Sequence, residues 1–208
     1  MWVVRIILLV MLFGGVAGFG YFLARRRKSE AVLENRPINL VGVIVYNLAC
    51  YLLAGLPSDG AVFAAPEFLA HTGTRTGFLL AGLALIILGV AVFTASVRQR
   101  KTVGGENVKE GLLTGGVYRI ARHPIYTGIV MVSLGLALAI GTWDGLLMIP
   151  LIGLVNAAEA SIEEIFDIGA RFPAGYAEYR KQTGMFGPIS LWAGLLALLA
   201  GLAFAGSF

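Results

Sequence analysis

Six long apolar segments dominate the sequence and restrict the folds open to it. Short polar stretches separate them, and they lie at residues 2–24, 38–56, 77–97, 125–140, 146–164 and 189–208. A helix needs about 20 mainly apolar residues to cross a bilayer. Inside a bilayer, a spanning segment must also satisfy its own backbone hydrogen bonds, which a helix does. The pattern therefore predicts an all-α integral membrane protein with five to six transmembrane helices.

The composition supports this class and excludes others. Of the 208 residues, 58% are hydrophobic and 13% are charged, whereas a soluble domain carries about 25% charged residues. Cys50 is the one cysteine, which excludes a disulfide scaffold. We interpret residues 1–208 as a single membrane domain. Residues 1–97 would hold three spans, 98–188 a core with cytoplasmic loops and a helical hairpin, and 189–208 the last span.

The basic residues predict how the chain is oriented. If the N-terminus lies outside, all 16 Lys and Arg residues except Arg5 and Arg75 fall on the inner side. Cytoplasmic loops of membrane proteins carry such an excess. We therefore attribute the net charge of +4 to basic residues in cytoplasmic loops, and we expect no nucleic-acid partner. Residues 98–124 and 159–188 should lie on the cytoplasmic face.

Glycines recur within the apolar segments. The glycine-rich stretch 14–20 superficially resembles a nucleotide-binding loop, but no strand precedes it. Small residues on a membrane helix usually allow close helix packing. We expect that role for this stretch and for Gly82, Gly89, Gly194 and Gly201. No motif with metal-ligand spacing is present, and no metal is expected.

A first polar cluster lies at the start of the fourth span. Within nine residues it combines two cations, an imidazole and two phenols, from Tyr118, Arg119, Arg122, His123 and Tyr126. A basic, aromatic interfacial belt would explain Tyr118 and Arg119. It does not explain His123 beside Pro124. A helix that begins near Pro124 would direct its free N–H groups toward the cluster and favour an anion there.

A second polar cluster lies at the inner end of the fifth span and is acidic. It comprises Glu159, Glu163, Glu164 and Asp167. Carboxylates at membrane depth are costly and usually face a cavity or a partner. A solvated helix end would explain Asp167 better than Glu159. Together, the two clusters suit a zwitterionic ligand with a carboxylate, a diol and a heterocycle. S-adenosylmethionine has those groups and a sulfonium.

The motifs resemble a known signature. The pattern Thr-x-Gly-x-Tyr-x-x-x-Arg-His-Pro-x-Tyr over 114–126 resembles that of the isoprenylcysteine carboxyl methyltransferase and phospholipid (phosphatidylethanolamine) methyltransferase superfamily of integral membrane methyltransferases. The resemblance covers about residues 96–188. It continues through the glutamate pair and then through Phe172, Tyr176, Tyr179, Thr183, Gly184 and Pro188.

The resemblance implies an enzyme that binds S-adenosylmethionine from the cytoplasm. It nominates as cofactor-binding residues Tyr118, Arg122, His123, Pro124, Tyr126, Glu163, Glu164 and Tyr179. It nominates Glu164, His123 and Arg122 as catalytic, with Glu164 or His123 as a proton acceptor if the substrate needs one. The stretch through Tyr176 and Tyr179 would fold over the cofactor as a lid.

The methyl acceptor stays open at this point. It would be membrane-embedded or amphiphilic: an isoprenylcysteine carboxylate, a phospholipid amine, a small thiol or an isoprenoid lipid. An arginine that such families often carry before the glutamate pair is absent, with Glu159 in its neighbourhood. This absence argues against a prenylcysteine.

Two other hypotheses compete. Membrane sterol or enone reductases share a related helical core and use NADPH, whose 2′-phosphate needs basic residues. Arg98, Arg100 and Lys101 could serve that purpose. A non-catalytic membrane scaffold, with both clusters as interfacial anchors, is the third hypothesis.

Overall fold

The computed structural model describes residues 67–100 and 111–205, together with the single helical positions Val10, Gly14, Ala17 and Tyr21. Apart from those four positions, the first two predicted spans lie outside the described residues. So do Cys50, Lys101 and the basic stretch 25–28.

The two described ranges fold into helices and contain no strand. The helices are α1 (Thr72–Arg100), α2 (Pro124–Ile140), α3 (Trp143–Glu163), α4 (Pro173–Gln182) and α5 (Ile189–Ala205). A 3-10 turn, Gly116–Arg119, precedes α2, and a π turn, Glu164–Ile168, follows α3. The expected all-α class is therefore confirmed for the described part of the chain.

Local sequence explains where α2 and α3 begin and end. Pro124 occupies the first turn of α2, where the missing N–H costs nothing. Gly141 ends α2 with φ at 65°, the left-handed conformation that glycine adopts easily. The Thr142 side chain then accepts a hydrogen bond from the Gly145 N–H at 3.2 Å and caps α3. These residues form the turn of the predicted hairpin.

Four glycines bring α1 and α2 into backbone contact. A Cβ atom on Gly82 would lie 2.5 Å from the Gly135 carbonyl oxygen, and one on Gly89 would lie 2.7 Å from that of Gly128. The pairing shows that α1 and α2 run antiparallel. The expected packing role of Gly82 and Gly89 is therefore observed. At Gly194 and Gly201 the described part of the chain shows no such close contact.

An apolar core lies beside this crossing. Its buried members come from α1, α2 and the short turn before α1, and they are Leu69, Phe78, Leu85, Met131, Leu134 and Leu138. α5 covers one side of the core with Trp192, Leu195, Leu199 and Leu202. The core supports one end of the α2–α3 hairpin, while the polar clusters lie at the other end.

Much of the outer surface of α1 is apolar. Leu80, Ile87 and Val90 are 60%, 68% and 51% exposed. Within the described ranges, α1 is the helix that is long and apolar enough to cross a membrane. Its 29 residues extend over about 43 Å at 1.5 Å per residue. α2 and α5 are apolar as well, but shorter.

Candidate active site

The turn that carries Tyr118 is attached to the end of α1 by one side chain. The Gln99 Nε2 donates to the Gly115 carbonyl at 2.6 Å, and its Oε1 accepts from the Val117 N–H at 3.1 Å. Gly116 has φ at 58°, and a Cβ there would collide with the Gln99 carboxamide. The Gly115–Gly116 pair is thus a docking point for Gln99. Sequence reasoning did not identify Gln99.

The segment after α4 pairs with the residues that precede α2. The Arg122 N–H donates to the Gly184 carbonyl and the His123 N–H to the Met185 carbonyl, both at 3.0 Å. The Arg122 Nη1 donates to the Thr183 carbonyl and, at 3.2 Å, to that of Arg180. Arg122 therefore joins the C-terminal segment to the start of α2.

The predicted lid residues lie against this segment. The Tyr179 hydroxyl donates to the Tyr118 carbonyl and lies 3.4 Å from that of Ala121. Burial raises the pKa of Tyr179 to about 12, so its hydroxyl stays protonated and remains a donor. The Tyr176 ring packs edge-on against it, with centroids 6.3 Å apart. α4 is thereby held over the first polar cluster.

His123 lies between the two consecutive glutamates. Its Nε2 is 3.1 Å from Glu164 Oε1 and its Nδ1 is 3.5 Å from Glu163 Oε2, with 3% of the side chain exposed. Burial alone lowers the pKa of His123, but the hydrogen bonds and charges of both carboxylates outweigh burial and raise it above its ordinary value. Both ring nitrogens are donors in the protonated imidazole. The His123 ring thus bridges the two carboxylates.

Arginines compensate the charge of the same two glutamates. The Arg122 Nε donates to Glu164 Oε1 at 3.0 Å, and these side chains are 7% and 5% exposed. The Arg180 Nε lies 3.9 Å from Glu164 Oε2, and the Arg100 Nη2 lies 3.8 Å from Glu163 Oε1. The pair lies where α3 changes into the π turn, and π turns are frequent at functional sites.

Three further predicted residues line the same region. Pro124 is fully buried and Tyr126 is nearly so, with its ring centroid 5.7 Å from that of His123. Tyr118 is buried, and its hydroxyl has no hydrogen-bond partner among the described residues. Burial raises the pKa of Tyr118. The structure therefore brings together all eight residues that the resemblance nominated.

The structure adds contacts that the sequence did not indicate. Asp167, for which the sequence suggested a solvated helix end, is buried and pairs with Arg171 at 2.8 Å. Arg180 and Thr183 contact Arg122 or Glu164, yet no isolated motif marked Arg180. Its contact depends on the fold-back of α4, and a linear pattern does not contain that information.

The comparison with protein families agrees with this geometry. The family model described as phospholipid methyltransferase matches residues 78–167. This region includes most of α1, all of α2 and α3, and the cluster from Tyr118 to Glu164. The match confirms the predicted resemblance to this superfamily. No curated protein and no solved structure gives a significant match.

Proposed function

We propose that the protein is an S-adenosylmethionine-dependent methyltransferase that acts on a membrane-embedded or amphiphilic acceptor. The observation that carries the proposal is the buried cluster of Arg122, His123, Glu163 and Glu164, since it lies in the region that matches the phospholipid methyltransferase family. When bound, the cofactor would supply a methyl group activated by a sulfonium.

The residues present fit that cofactor. The buried hydroxyl of Tyr118 has no hydrogen-bond partner among the described residues, and such groups usually find one. Carboxylates such as Glu163 and Glu164 accept hydrogen bonds from ribose hydroxyls. Aromatic rings beside a sulfonium stabilise its positive charge. Pro124, Tyr126 and Tyr179 complete the proposed binding region.

Within the cluster, some side chains would contact the cofactor and others would position those that do. Glu164 would contact the cofactor. Arg122 would position Glu164 and also hold α4 in place through its hydrogen bond to the Arg180 carbonyl. His123, which lies between two carboxylates that raise its pKa, would act as a counter-charge to them when protonated. Methyl transfer is an in-line displacement, so orientation and exclusion of water supply much of its acceleration.

The membrane setting explains how a water-soluble cofactor could meet a lipid-like acceptor. We propose that α1 spans the bilayer with its Arg100 end inside, together with further helices of the chain. The exposed leucine, isoleucine and valine side chains of α1 support this arrangement. The cluster would then lie at the cytoplasmic ends of α1, α2 and α3, with the acceptor entering from the lipid.

Calorimetric titration of the detergent-purified full chain would test the cofactor and its site. We expect S-adenosylmethionine and its demethylated product, S-adenosylhomocysteine, to bind the wild type. His123→Ala and Glu164→Gln should bind at least about tenfold more weakly, about 1.4 kcal/mol. Glu178→Gln is the matched control because Glu178 is exposed on α4, and it should bind like the wild type.

Two results would contradict the proposal. One is a wild type that retains its helicity and monodispersity but binds neither compound. The other is a folded Glu164→Gln variant with unchanged affinity. NADPH, titrated in parallel, tests the reductase alternative. Of the three basic residues that could hold its phosphate, Arg100 faces Glu163.

A further inference from the structure

The last turn of α1 contacts both parts of the candidate site. Gln99 is hydrogen-bonded to the turn before α2: its Nε2 donates to the Gly115 carbonyl at 2.6 Å, and its Oε1 accepts from the Val117 N–H at 3.1 Å. The Nη2 of the next residue, Arg100, lies 3.8 Å from Glu163 Oε1. α1 therefore reaches the site partly through a glutamine that has no place among the proposed cofactor contacts.

The Gln99 carboxamide matches the backbone groups that it meets. A carboxamide offers both donors and an acceptor, and Gln99 uses one of each on the same turn. Gly116 lies between the two contacted residues and has φ at 58°, and a Cβ atom there would overlap the carboxamide. The glycine thus leaves the space that the Gln99 side chain fills.

Tyr118 is held at its backbone and not at its hydroxyl. Its N–H donates to the Gly115 carbonyl at 3.1 Å, and its carbonyl accepts from the Tyr179 hydroxyl. Tyr118 is 8% exposed, and its hydroxyl has no hydrogen-bond partner among the described residues. Burial raises the pKa of Tyr118, so the hydroxyl is a donor at neutral pH. Buried donors normally have an acceptor, and here a ligand would supply it.

We infer that Gln99 is a positioning residue, which holds the Tyr118 hydroxyl where the cofactor accepts a hydrogen bond from it. The inference rests on the proposed function, because the ribose, adenine and carboxylate of S-adenosylmethionine supply the acceptors. Gln99 acts through the turn and does not contact the cofactor. A glutamine that only stabilised the fold would affect cofactor binding independently of the Tyr118 hydroxyl. A positioning glutamine loses its effect once that hydroxyl is removed.

A double-mutant cycle on the binding of S-adenosylhomocysteine separates these two roles. Calorimetry would compare the detergent-purified full chain as wild type, Gln99→Met, Tyr118→Phe and the double variant. Methionine keeps the length of the side chain and removes both hydrogen bonds. We expect each single variant to bind about fivefold more weakly, since one hydrogen bond to the ligand is lost. The double variant should also bind about fivefold more weakly, whereas independent effects would multiply to about 25-fold.

Either of two results in folded variants would overturn the inference. One is wild-type affinity in Gln99→Met or in Tyr118→Phe. The other is a double variant that binds about 25-fold more weakly. Gln182→Met is the matched control, because Gln182 lies exposed on α4 and donates to Glu178 Oε1 at 2.9 Å. It should bind like the wild type, and a loss equal to that of Gln99→Met would count against the inference in the same way.

Two glycines give a second route to the same contact. Gly111 and Gly116 both have positive φ, at 79° and 58°, so alanine is strained at either position. At Gly116 the new Cβ would displace the Gln99 carboxamide, whereas at Gly111 no described atom lies within 4 Å. We expect Gly116→Ala to bind S-adenosylhomocysteine at least about fivefold more weakly and Gly111→Ala to bind it like the wild type. Equal effects would overturn the inference, and this pair decides if Gln99→Met does not fold.

Binding to the wild type separates this inference from the proposed function. A folded wild type that binds neither S-adenosylmethionine nor S-adenosylhomocysteine overturns the proposed function and the inference together. Binding that depends on Glu164 but not on Gln99 overturns the inference alone.

Discussion

At the scale of single residues, the site is an arrangement of buried charges that neutralise one another. His123 and Arg122 both donate to Glu164 Oε1, and Arg100 lies near Glu163. Removing one member of a buried ionic group leaves the others uncompensated, which costs more than the pair itself contributes. His123 is the member whose charge can change near neutral pH.

The charge of His123 predicts a pH-dependent stability. The two carboxylates raise the pKa of His123 in the folded state above the unfolded value of about 6.5. Its protonated form therefore contributes stability that is complete below about pH 6.5 and is lost as pH rises through the folded pKa. His123→Gln should be less stable than wild type, by about 1–3 kcal/mol where the histidine is charged. The difference should shrink as pH rises.

Thermal unfolding of both proteins in detergent between pH 6 and 9 would measure this. His71→Gln is the control, since His71 lies exposed before α1 and should shift the midpoint little at any pH. A difference between wild type and His123→Gln that grows with pH would contradict the assignment of a raised pKa.

At the scale of elements, the crossing of α1 and α2 positions the cluster. The glycine pairs at this crossing are seven residues apart in each helix, so both lie on the same face. Their backbones touch, and the turn carrying Tyr118 is then held to α1 by Gln99. A change in the distance between α1 and α2 should therefore change the geometry of the site.

Gly89→Ala tests this crossing. The new methyl group would lie 2.7 Å from the Gly128 carbonyl oxygen and 2.8 Å from Val132 Cγ2, so α1 and α2 must separate. We expect a loss of about 1–3 kcal/mol in stability, together with weaker binding of S-adenosylhomocysteine. Thermal unfolding and calorimetry would measure the two effects.

Gly194→Ala is the matched control for the glycine experiment. No described atom lies within 4 Å of a Cβ at Gly194 in α5, and alanine favours a helix over glycine by about 1 kcal/mol. This variant should be as stable as wild type or more so. Equal effects of the two substitutions would show that the α1–α2 contact is not the cause.

At the scale of the whole molecule, the proposed topology places the two ends of α1 on opposite sides of a membrane. His71 is exposed just before α1, and Lys181 is exposed at the end of α4 beside the cluster. We expect a membrane-impermeant thiol reagent to label Lys181→Cys only from the cytoplasmic side and His71→Cys only from the outer side. Both substitutions are made in a Cys50→Ser background. Labelling of both from one side would contradict the topology.

Much of the helical architecture was predictable because its signals are local. Apolar runs between Pro124 and Gly141 and after Pro188 locate α2 and α5, since proline and glycine mark helix ends. The prediction for α1 was too short at both ends. Its first and last turns are polar, and they stay helical without contributing to an apolar run.

The sequence by itself determined which chemical groups the candidate site contains. Arg122, His123 and the glutamate pair form part of a motif whose residue types and spacing are read directly along the chain. Only the tertiary structure decided their partners: Arg122 holds the segment after α4, and Glu159 remains without a cation in the described chain. The physical reason is that the electrostatic energy of a charged side chain depends on the groups that lie near it in space. Those neighbours, up to 61 residues away for Arg122 and Thr183, exist only once the helices have packed.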